Sequence, residues 1–200
     1  MTEQLSFDPG RTAVLSMDMQ AAIVSIYAKD QAAFLGRAAR VLKRARAAGA
    51  PVIHVKVGFR PGFPEISERN ALFSSIKKNE RHRQIFEGEL GEIHPAVAPQ
   101  GEDIVVVKHR VSAFFGTDLD MILRAKEVDT LVLFGIATSG VVLSTLIDAF
   151  DADYRLIVIR DCCADQDAEV HACLVDKLFA QRATVASASE FLAAKFVLQT

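Results

Sequence analysis

The sequence has little of several residue types that mark specialised classes of protein. It contains no tryptophan, two tyrosines and three cysteines among 200 residues. The cysteines, Cys162, Cys163 and Cys173, are odd in number and lack the Cys-x-x-Cys spacing common in metal sites. Such usage favours reduced thiols over a disulfide framework. We predict that all three are structural, because no activating partner can be assigned to them.

Signals for membranes, nucleic acids and cofactors are also missing. No apolar run approaches the roughly 20 residues needed to cross a bilayer, and the N-terminus lacks a charged-then-apolar signal pattern. We therefore expect a cytoplasmic protein without a membrane partner. A net charge of −2 with both signs interspersed gives no basic patch for nucleic acid. With no P-loop, Gly-x-Gly-x-x-Gly fingerprint or metal-ligand spacing, we predict no cofactor and no metal.

The pattern that is present is an alternation of strands and helices. Half of the residues are hydrophobic, enough for one core, so residues 1–200 are expected to form one domain. Strands are predicted at residues 11–17, 51–57, 103–108, 131–134, 154–160 and 183–186, with helices that include 32–48, 167–181 and 189–196. The alternation predicts a three-layer α-β-α sandwich around a six-stranded, mainly parallel sheet, most simply in the order 3-2-1-4-5-6.

Residues 131–150 are the stretch around which the chain is organised. A buried strand ends at Gly135, and an apolar helix follows a turn of small residues that Thr138 or Ser139 can cap. We call residues 135–142 the elbow. Helix N-termini at the carboxyl ends of parallel strands are where open α/β enzymes place substrates. Without further signals, the same junction is ordinary βα architecture.

Charged residues also follow two other predicted strands. Asp18 ends the first strand and Lys108 ends the third, so both belong at the same sheet edge as the elbow. Each has a plainer interpretation, as a helix cap or a salt-bridge partner. Arg60, in a loop rich in glycine and proline, could meet an anionic substrate or lie in solvent. Phe114 and Phe115 are candidates for core residues or for an apolar pocket wall.

Three motifs together resemble those of isochorismatase-like cysteine hydrolases. They are Asp-Met-Gln at residues 18–20, Ser-Ala-Phe-Phe-Gly-Thr at 112–117, which Lys108 precedes, and Gly-Ile-Ala-Thr-Ser-Gly-Val-Val at 135–142. The resemblance runs from about residue 12 to residue 192 and implies that family's fold. It makes Asp18 and Lys108 catalytic positions. The position of the family's nucleophilic cysteine is occupied by Val141.

The resemblance also implies the surroundings of the site. In thiol-bearing members the aspartate takes the cysteine proton, the lysine stabilises charge, and backbone amides of the elbow hold the oxyanion. Substrate contacts are then expected from Gln20 and from the elbow residues Ile136, Ala137, Thr138 and Gly140. A non-proline cis peptide is expected between Ile136 and Ala137. Members of the family commonly pair, and the apolar face of Val142, Leu143, Leu146 and Ile147, around the start of the helix after the elbow, exceeds what one core contact needs. We therefore expect a homodimer or higher homo-oligomer acting on a small molecule.

Three functions remain open because Val141 cannot act as a nucleophile. Members that split a vinyl ether work without the cysteine and use the aspartate as an acid, which makes Asp-dependent hydrolysis of a small molecule our leading hypothesis. A catalytically silent binding protein on the same fold is the main alternative. The third is an amidohydrolase with directly activated water or another nucleophile. The hydroxyls of Thr138, Ser139, Ser144 and Thr145 are displaced from the nucleophile position and are better explained as caps and packing groups.

Overall fold

A computed structural model describes residues 4–197 and contains the predicted parallel sheet. Its strands are β1 (Thr12–Met17), β2 (Val52–Val57), β3 (Ile104–Lys108), β4 (Thr130–Ile136), β5 (Arg155–Ala164) and β6 (Thr184–Ala186). They lie in the order β3-β2-β1-β4-β5-β6, and every neighbouring pair is parallel. The predicted order and class are confirmed. Only β4 and β5 are notably longer than predicted, at their carboxyl ends.

The two central strands are covered on both faces. Every residue of β1 and of β4 is buried, although successive side chains of a strand point to opposite faces. Helices must therefore pack on both sides of the sheet, which is the three-layer arrangement expected from the sequence. The edge strand β3 is different, since Val105 and Val107 are each 43% exposed.

Eight α-helices within residues 4–197 connect and cover the strands. They are α1 (Ala21–Tyr27), α2 (Gln31–Ala47), α3 (Ala71–Lys78), α4 (Glu80–Gln84), α5 (Leu119–Ala125), α6 (Leu143–Asp151), α7 (Ala168–Cys173) and α8 (Ala188–Leu192). The longest, α2, is the crossover helix predicted from its apolar face. It begins where the Asp30 side chain accepts a hydrogen bond from Ala33 N, and Gly49 follows its end with a φ of 77°. No helix within residues 4–197 is long and apolar enough to cross a membrane.

The C-terminal part departs from the sequence prediction. The predicted helix at 167–181 is α7 followed by a π-helix, Leu174–Leu178, and a 3-10 turn, Phe179–Gln181. The predicted helix at 189–196 is shorter, because α8 ends at Leu192 and Lys195–Phe196 pairs as a short parallel strand with Ser6–Phe7. Helical periodicity gave no sign of this pairing, which depends on a partner almost the whole chain away.

The segment between β2 and β3 was predicted to form short helices and loops over one sheet edge. It contains α3, α4 and the 3-10 turns Gly88–Gly91 and Pro95–Val97. These elements do not merely cover a lateral edge. Ile76, His82 and Phe86 line a cavity together with residues at the carboxyl ends of the strands. The segment therefore covers the site itself.

Close contact between β1 and β4 determines where the site forms. Met17 and Gly135 are register partners at the carboxyl ends of the two strands. A Cβ atom at Gly135 would overlap the Met17 carbonyl oxygen, and Gly135 has a φ of 147°, a conformation that favours glycine. The chain then turns at Asp18, whose φ is 53°. This approach brings the end of β1 next to the elbow.

Candidate active site at the carboxyl ends of the strands

A cavity of about 430 Å³ opens where the central strands end. Its floor is made by strand ends and by the elbow, and it includes Asp18, Val57, Lys108, Ile136, Ala137, Gly140 and Val141. These residues come from four different strands. The cavity is therefore at the topological switch point, between β1 and its neighbours, where open α/β sheets bind ligands. Its volume lies in the lower part of the range of about 300–1,000 Å³ typical of small-molecule sites.

Asp18 and Lys108 form an ion pair at the floor of this cavity. Lys108 Nζ lies 2.8 Å from Asp18 Oδ2, and the residues are only 2% and 6% exposed. The ammonium also donates a hydrogen bond of 3.1 Å to the Arg110 carbonyl. The other carboxylate oxygen, Asp18 Oδ1, is buried and has no hydrogen-bond partner among the described residues. Asp18 as a residue nevertheless lines the cavity.

Burial controls the protonation of Asp18. Loss of solvent raises the pKa of the Asp18 carboxyl, and this effect exceeds the opposing attraction of the Lys108 ammonium. A buried carboxyl with a raised pKa keeps its proton to higher pH than an exposed one. The lysine in turn stabilises the carboxylate that remains after the proton has left. The pair is therefore suited to donating a proton and taking it back.

The elbow lines the cavity with Gly140 and with the apolar residues Ile136, Ala137 and Val141. The Ile136–Ala137 peptide is cis, as predicted. Gly140 has non-helical torsions, with φ −100° and ψ −107°. The amides of Gly140 and Val142 both donate to the Ala137 carbonyl, over 3.1 and 3.2 Å. Val141 lines the cavity and is 2% exposed, so the position at which the resemblance predicts a nucleophile presents an unreactive side chain.

Side chains from beyond β5 hold the elbow, and the predicted caps do not. Ser139 N donates to Asp165 Oδ2 over 2.7 Å, while Thr138 Oγ1 lies 2.8 Å from His171 Nδ1. Neither Thr138 nor Ser139 caps the helix through its own side chain. The expectation of a local cap is corrected, because the carboxylate that accepts the hydrogen bond from the Ser139 amide belongs to Asp165, 26 residues away. Nothing in the local sequence pattern indicates this role for Asp165.

Six predicted site residues meet in the cavity. These are the two charged positions, the replaced nucleophile and three elbow residues: Asp18, Lys108, Val141, Ile136, Ala137 and Gly140. The structure corrects the expected placement of Thr138, which is fully buried beneath the cavity in its contact with His171. It also corrects Gln20. The Gln20 amide is fully buried and bonds to Val57 N, Val57 O and Gly91 O. Gln20 therefore joins α1 to β2 rather than facing a ligand.

The other three predicted contact residues lie outside the cavity. Arg60 is exposed and pairs with Glu65 over 2.6 Å, so its charge is already satisfied on the surface loop. Phe114 packs beside Tyr154, with 6.1 Å between ring centroids. Phe115 is 66% exposed on another part of the surface. Position after a strand end did not decide where these side chains point, because the loop after β2 brings Arg60 to Glu65 and the loop after β3 lines the cavity only as far as Val111.

The walls of the cavity come mostly from residues that sequence reasoning missed. α1 contributes Ile23, Ile26 and Tyr27, and α3 contributes Leu72, Phe73 and Ile76. Their apolar spacing was the available signal, but a helix face that lines a pocket has the same pattern as one that packs in the core. Only the placement of the two helices over the strand ends distinguishes the two cases.

The cysteines stay away from the chemistry, as predicted. Burial raises the pKa of the Cys162 thiol far above its ordinary range and that of Cys163 to about 12. Neither lines the cavity, and Cys173 lies exposed on α7. Among residues 4–197, no three or more histidine, cysteine or acidic side chains are grouped so that they could hold a metal ion.

Comparisons with known proteins agree with this geometry. Residues 12–190 match the isochorismatase domain. The chain is 34% identical to a maleamate amidohydrolase from Pseudomonas putida over 147 residues, covering 73% of this chain and 67% of the relative. It is 35% identical to a ureidoacrylate amidohydrolase from Methylobacterium radiotolerans over 178 residues, covering 80% and 69%. An isochorismatase family protein from Burkholderia thailandensis superimposes with a TM-score of 0.85 at 26% identity, covering 96% and 98%.

Proposed function

The chain belongs to the isochorismatase family of hydrolases, and we propose that it hydrolyses a small molecule through acid/base chemistry at Asp18, without a cysteine nucleophile. The observation that carries the proposal is the Asp18 carboxyl itself. It is 6% exposed, paired with Lys108 over 2.8 Å, and belongs to a residue that lines the cavity. A buried carboxyl with a raised pKa suits a general acid.

Hydrolysis of an enol ether fits this arrangement. Protonated Asp18 donates its proton to the terminal carbon of the C=C bond, which leaves an oxocarbenium ion and the Asp18 carboxylate beside the Lys108 ammonium. Water adds to the cation, and the resulting hemiketal collapses to a carbonyl compound and an alcohol. The proton lost by the water restores Asp18, so the reaction consumes one water and leaves the enzyme unchanged.

Val141 supports a route without a covalent intermediate. As part of the elbow it lines the same cavity as the ion pair, where its side chain can exclude water but cannot attack. The alternative hydroxyls are engaged elsewhere: Thr138 contacts His171, and Thr145 Oγ1 accepts a hydrogen bond from Ala113 N. Among the described residues that line the cavity, no thiol is available.

Amide hydrolysis is the second candidate, because the relatives named above are amidohydrolases for maleamate and ureidoacrylate. In that reaction ionised Asp18 would take a proton from an attacking water, and Lys108 would stabilise the charge that develops. The two reactions need opposite protonation states of Asp18 at the start. For the acid mechanism, kcat/KM falls as pH rises through the Asp18 pKa, whereas the base mechanism gains activity over the same range.

The test is a panel of neutral enol ethers and primary amides, with carbonyl and ammonia release followed across pH. For enol-ether hydrolysis, Asp18→Asn should reduce turnover by about 10²–10⁴-fold, because the amide cannot exchange the proton. A variant with Cys162→Ala, Cys163→Ala and Cys173→Ser should keep the chemical step once its folded fraction is matched. Ammonia release alone favours the second candidate. Unchanged turnover by folded Asp18→Asn contradicts both mechanisms, and tight binding without turnover favours the silent binding protein.

Self-association stays a prediction, with its basis revised by the structure. Of the α6 face expected to mediate pairing, Val142 and Leu146 are fully buried within the subunit. Leu143 and Ile147 are half-buried and line a surface depression together with exposed Phe115. We propose this smaller patch as the contact between copies. Light scattering that gives a monomer over a wide concentration range would contradict it.

A further inference from the structure

The composition of the cavity lining bears on the substrate class of the proposed site. The walls are mostly apolar, with Ile23, Tyr27, Phe73, Ile76, Phe86 and Val111 around the ion pair, and the other polar side chains in the lining are Ser75, His82 and Gln166. The rim is apolar as well, since Ile26 is 45% exposed and Leu72 is 57% exposed. Exposed side chains of this size at the mouth of a cavity mark a surface that an apolar ligand covers.

The charged groups at the floor of the cavity are held by partners. Lys108 Nζ lies 2.8 Å from Asp18 Oδ2 and donates to the Arg110 carbonyl over 3.1 Å, so the pair has no net charge when Asp18 is ionised, and the ammonium still has both partners when Asp18 is protonated. Among the described lining residues, the one further side chain that can carry a positive charge is His82, on the exposed helix α4. No unpaired lysine or arginine of the described chain lines the cavity.

Nearby guanidinium groups are held by other partners. Arg60 bonds to Glu65 over 2.6 Å. Arg110 donates to the carbonyls of His109 and Glu65 over 2.6 and 2.8 Å, and its Cζ atom lies over the ring of Phe73, 5.7 Å from the ring centroid. A carboxylate ligand in this cavity would therefore lose its hydration and meet only one lysine, Lys108, whose ammonium already bonds to Asp18 and to the Arg110 carbonyl. Such a group binds poorly in apolar surroundings.

We propose that the cavity selects an uncharged, largely apolar substrate whose single polar centre, a neutral carbonyl or enol-ether oxygen, meets the Asp18–Lys108 pair. The proposal deepens the proposed function, since it names the substrate class of the same site. It nevertheless stands on binding, and binding can be measured whether or not turnover occurs.

The experiment compares ligands that share a skeleton and differ in charge. The first pair is 4-phenyl-2-butanone and 3-phenylpropanoate, and the second is 2-heptanone and hexanoate. None of the four has a bond that this enzyme is proposed to cleave. Calorimetry or ligand-observed NMR with the full chain should show each ketone binding at least tenfold more tightly than its carboxylate. A carboxylate that binds as tightly as its ketone, or failure of both ketones to bind, overturns the proposal.

Two variants test whether the charges that line the cavity cause the preference for ketones over carboxylates. Ile76→Arg places a cation in the wall, and Asp18→Asn, compared with the unaltered protein at a pH above the Asp18 pKa, leaves the Lys108 ammonium without its charged partner, so each should raise carboxylate affinity at least tenfold. Met121→Arg adds the same charge at a site 68% exposed on α5 and outside the cavity, and it should change neither affinity. His82→Gln should keep the preference for ketones. If both cavity variants are folded and neither gains carboxylate affinity, the proposal fails.

Turnover separates this proposal from the proposed function. Selective ketone binding with no hydrolysis of any neutral enol ether or amide supports the ligand class and contradicts the acid/base mechanism. Hydrolysis that depends on Asp18 but is confined to carboxylate-bearing substrates supports the mechanism and overturns the ligand class.

Discussion

Asp165 accepts a hydrogen bond from the backbone amide of Ser139 over 2.7 Å, and this contact joins the end of β5 to the elbow. The elbow carries Gly140 and Val141 into the cavity. No side chain within the elbow caps it. The geometry of the floor therefore depends on a carboxylate that itself does not line the cavity.

Asp165→Ala should loosen the elbow and reduce catalysis. Loss of a capping carboxylate lowers the free energy of unfolding by about 0.5–2 kcal/mol, and we expect a further fall in kcat with less change in KM, because the reacting groups lose their alignment. Chemical denaturation and steady-state kinetics measure the two effects. Asp167→Ala is the matched control, since Asp167 caps α7 through Glu169 N and Val170 N. Equal kinetic losses in both variants would contradict a positioning role for Asp165.

Val141→Cys should create a reactive thiol. The new side chain would lie in the cavity beside the Lys108 ammonium, which favours the thiolate, whereas burial raises the pKa of Cys162 and of Cys163. In a Cys173→Ser background, iodoacetamide should label position 141 well before either buried cysteine, as followed by peptide mass spectrometry. Val141→Ser is the control for changes in folding. Labelling confined to the buried thiols in a folded protein would mean that position 141 is misassigned.

Gly135→Ala should be severely destabilising. The added Cβ would overlap the Met17 carbonyl, and the φ of 147° is unfavourable for alanine, so we expect a loss of about 3 kcal/mol or more. Gly36→Ala is the contrasting change, because its Cβ would meet nothing within 4 Å and it lies within α2. That substitution should stabilise the protein by about 0.4–1 kcal/mol. Urea denaturation of both variants checks the prediction, and similar effects would contradict the close contact of β1 with β4.

The free energy of unfolding should decrease as pH falls, because His54 is buried in its neutral form. Its side chain is fully buried, with Nε2 3.1 Å from Asp103 Oδ2, and Asp103 also pairs with Arg46. Burial lowers the pKa of His54 although Asp103 opposes the shift. The unfolded state therefore binds more protons than the folded state. The contribution of His54 to the free energy of unfolding is complete above an ordinary histidine pKa of about 6.5, and it is lost as pH falls towards the pKa of His54 in the folded state.

Urea denaturation between about pH 7 and pH 5 measures this effect. His54→Gln should be less stable at pH 7 but show a shallower loss of stability over that range. The pKa of Asp103 is held below its ordinary value by Arg46 and its other hydrogen bonds, against the effect of burial, so Asp103 titrates at lower pH. An unchanged slope in the variant would assign the pH dependence to another group.

The sequence by itself determined the class of fold and the edge of the sheet at which the candidate site lies. Alternating strands and helices predict the parallel sheet, because hydrophobic periodicity is a local property. Chain order and right-handed crossovers then predict the neighbours of β1. The motifs around Asp18, Lys108 and Val141 predict which strand ends carry the chemistry, since the carboxyl ends of parallel strands meet at one edge.

Tertiary structure alone decided which side chains face the cavity and which hold it in place. Gln20 and Thr138 lie close in sequence to the predicted catalytic positions, but neither is available to a ligand. The Gln20 amide bonds to backbone groups, and the Thr138 hydroxyl bonds to His171. Asp165 acts on the elbow from a different strand. The apolar walls come from helices whose pattern equally suits core packing. These outcomes depend on contacts between residues far apart in sequence, and local periodicity carries no information about such contacts.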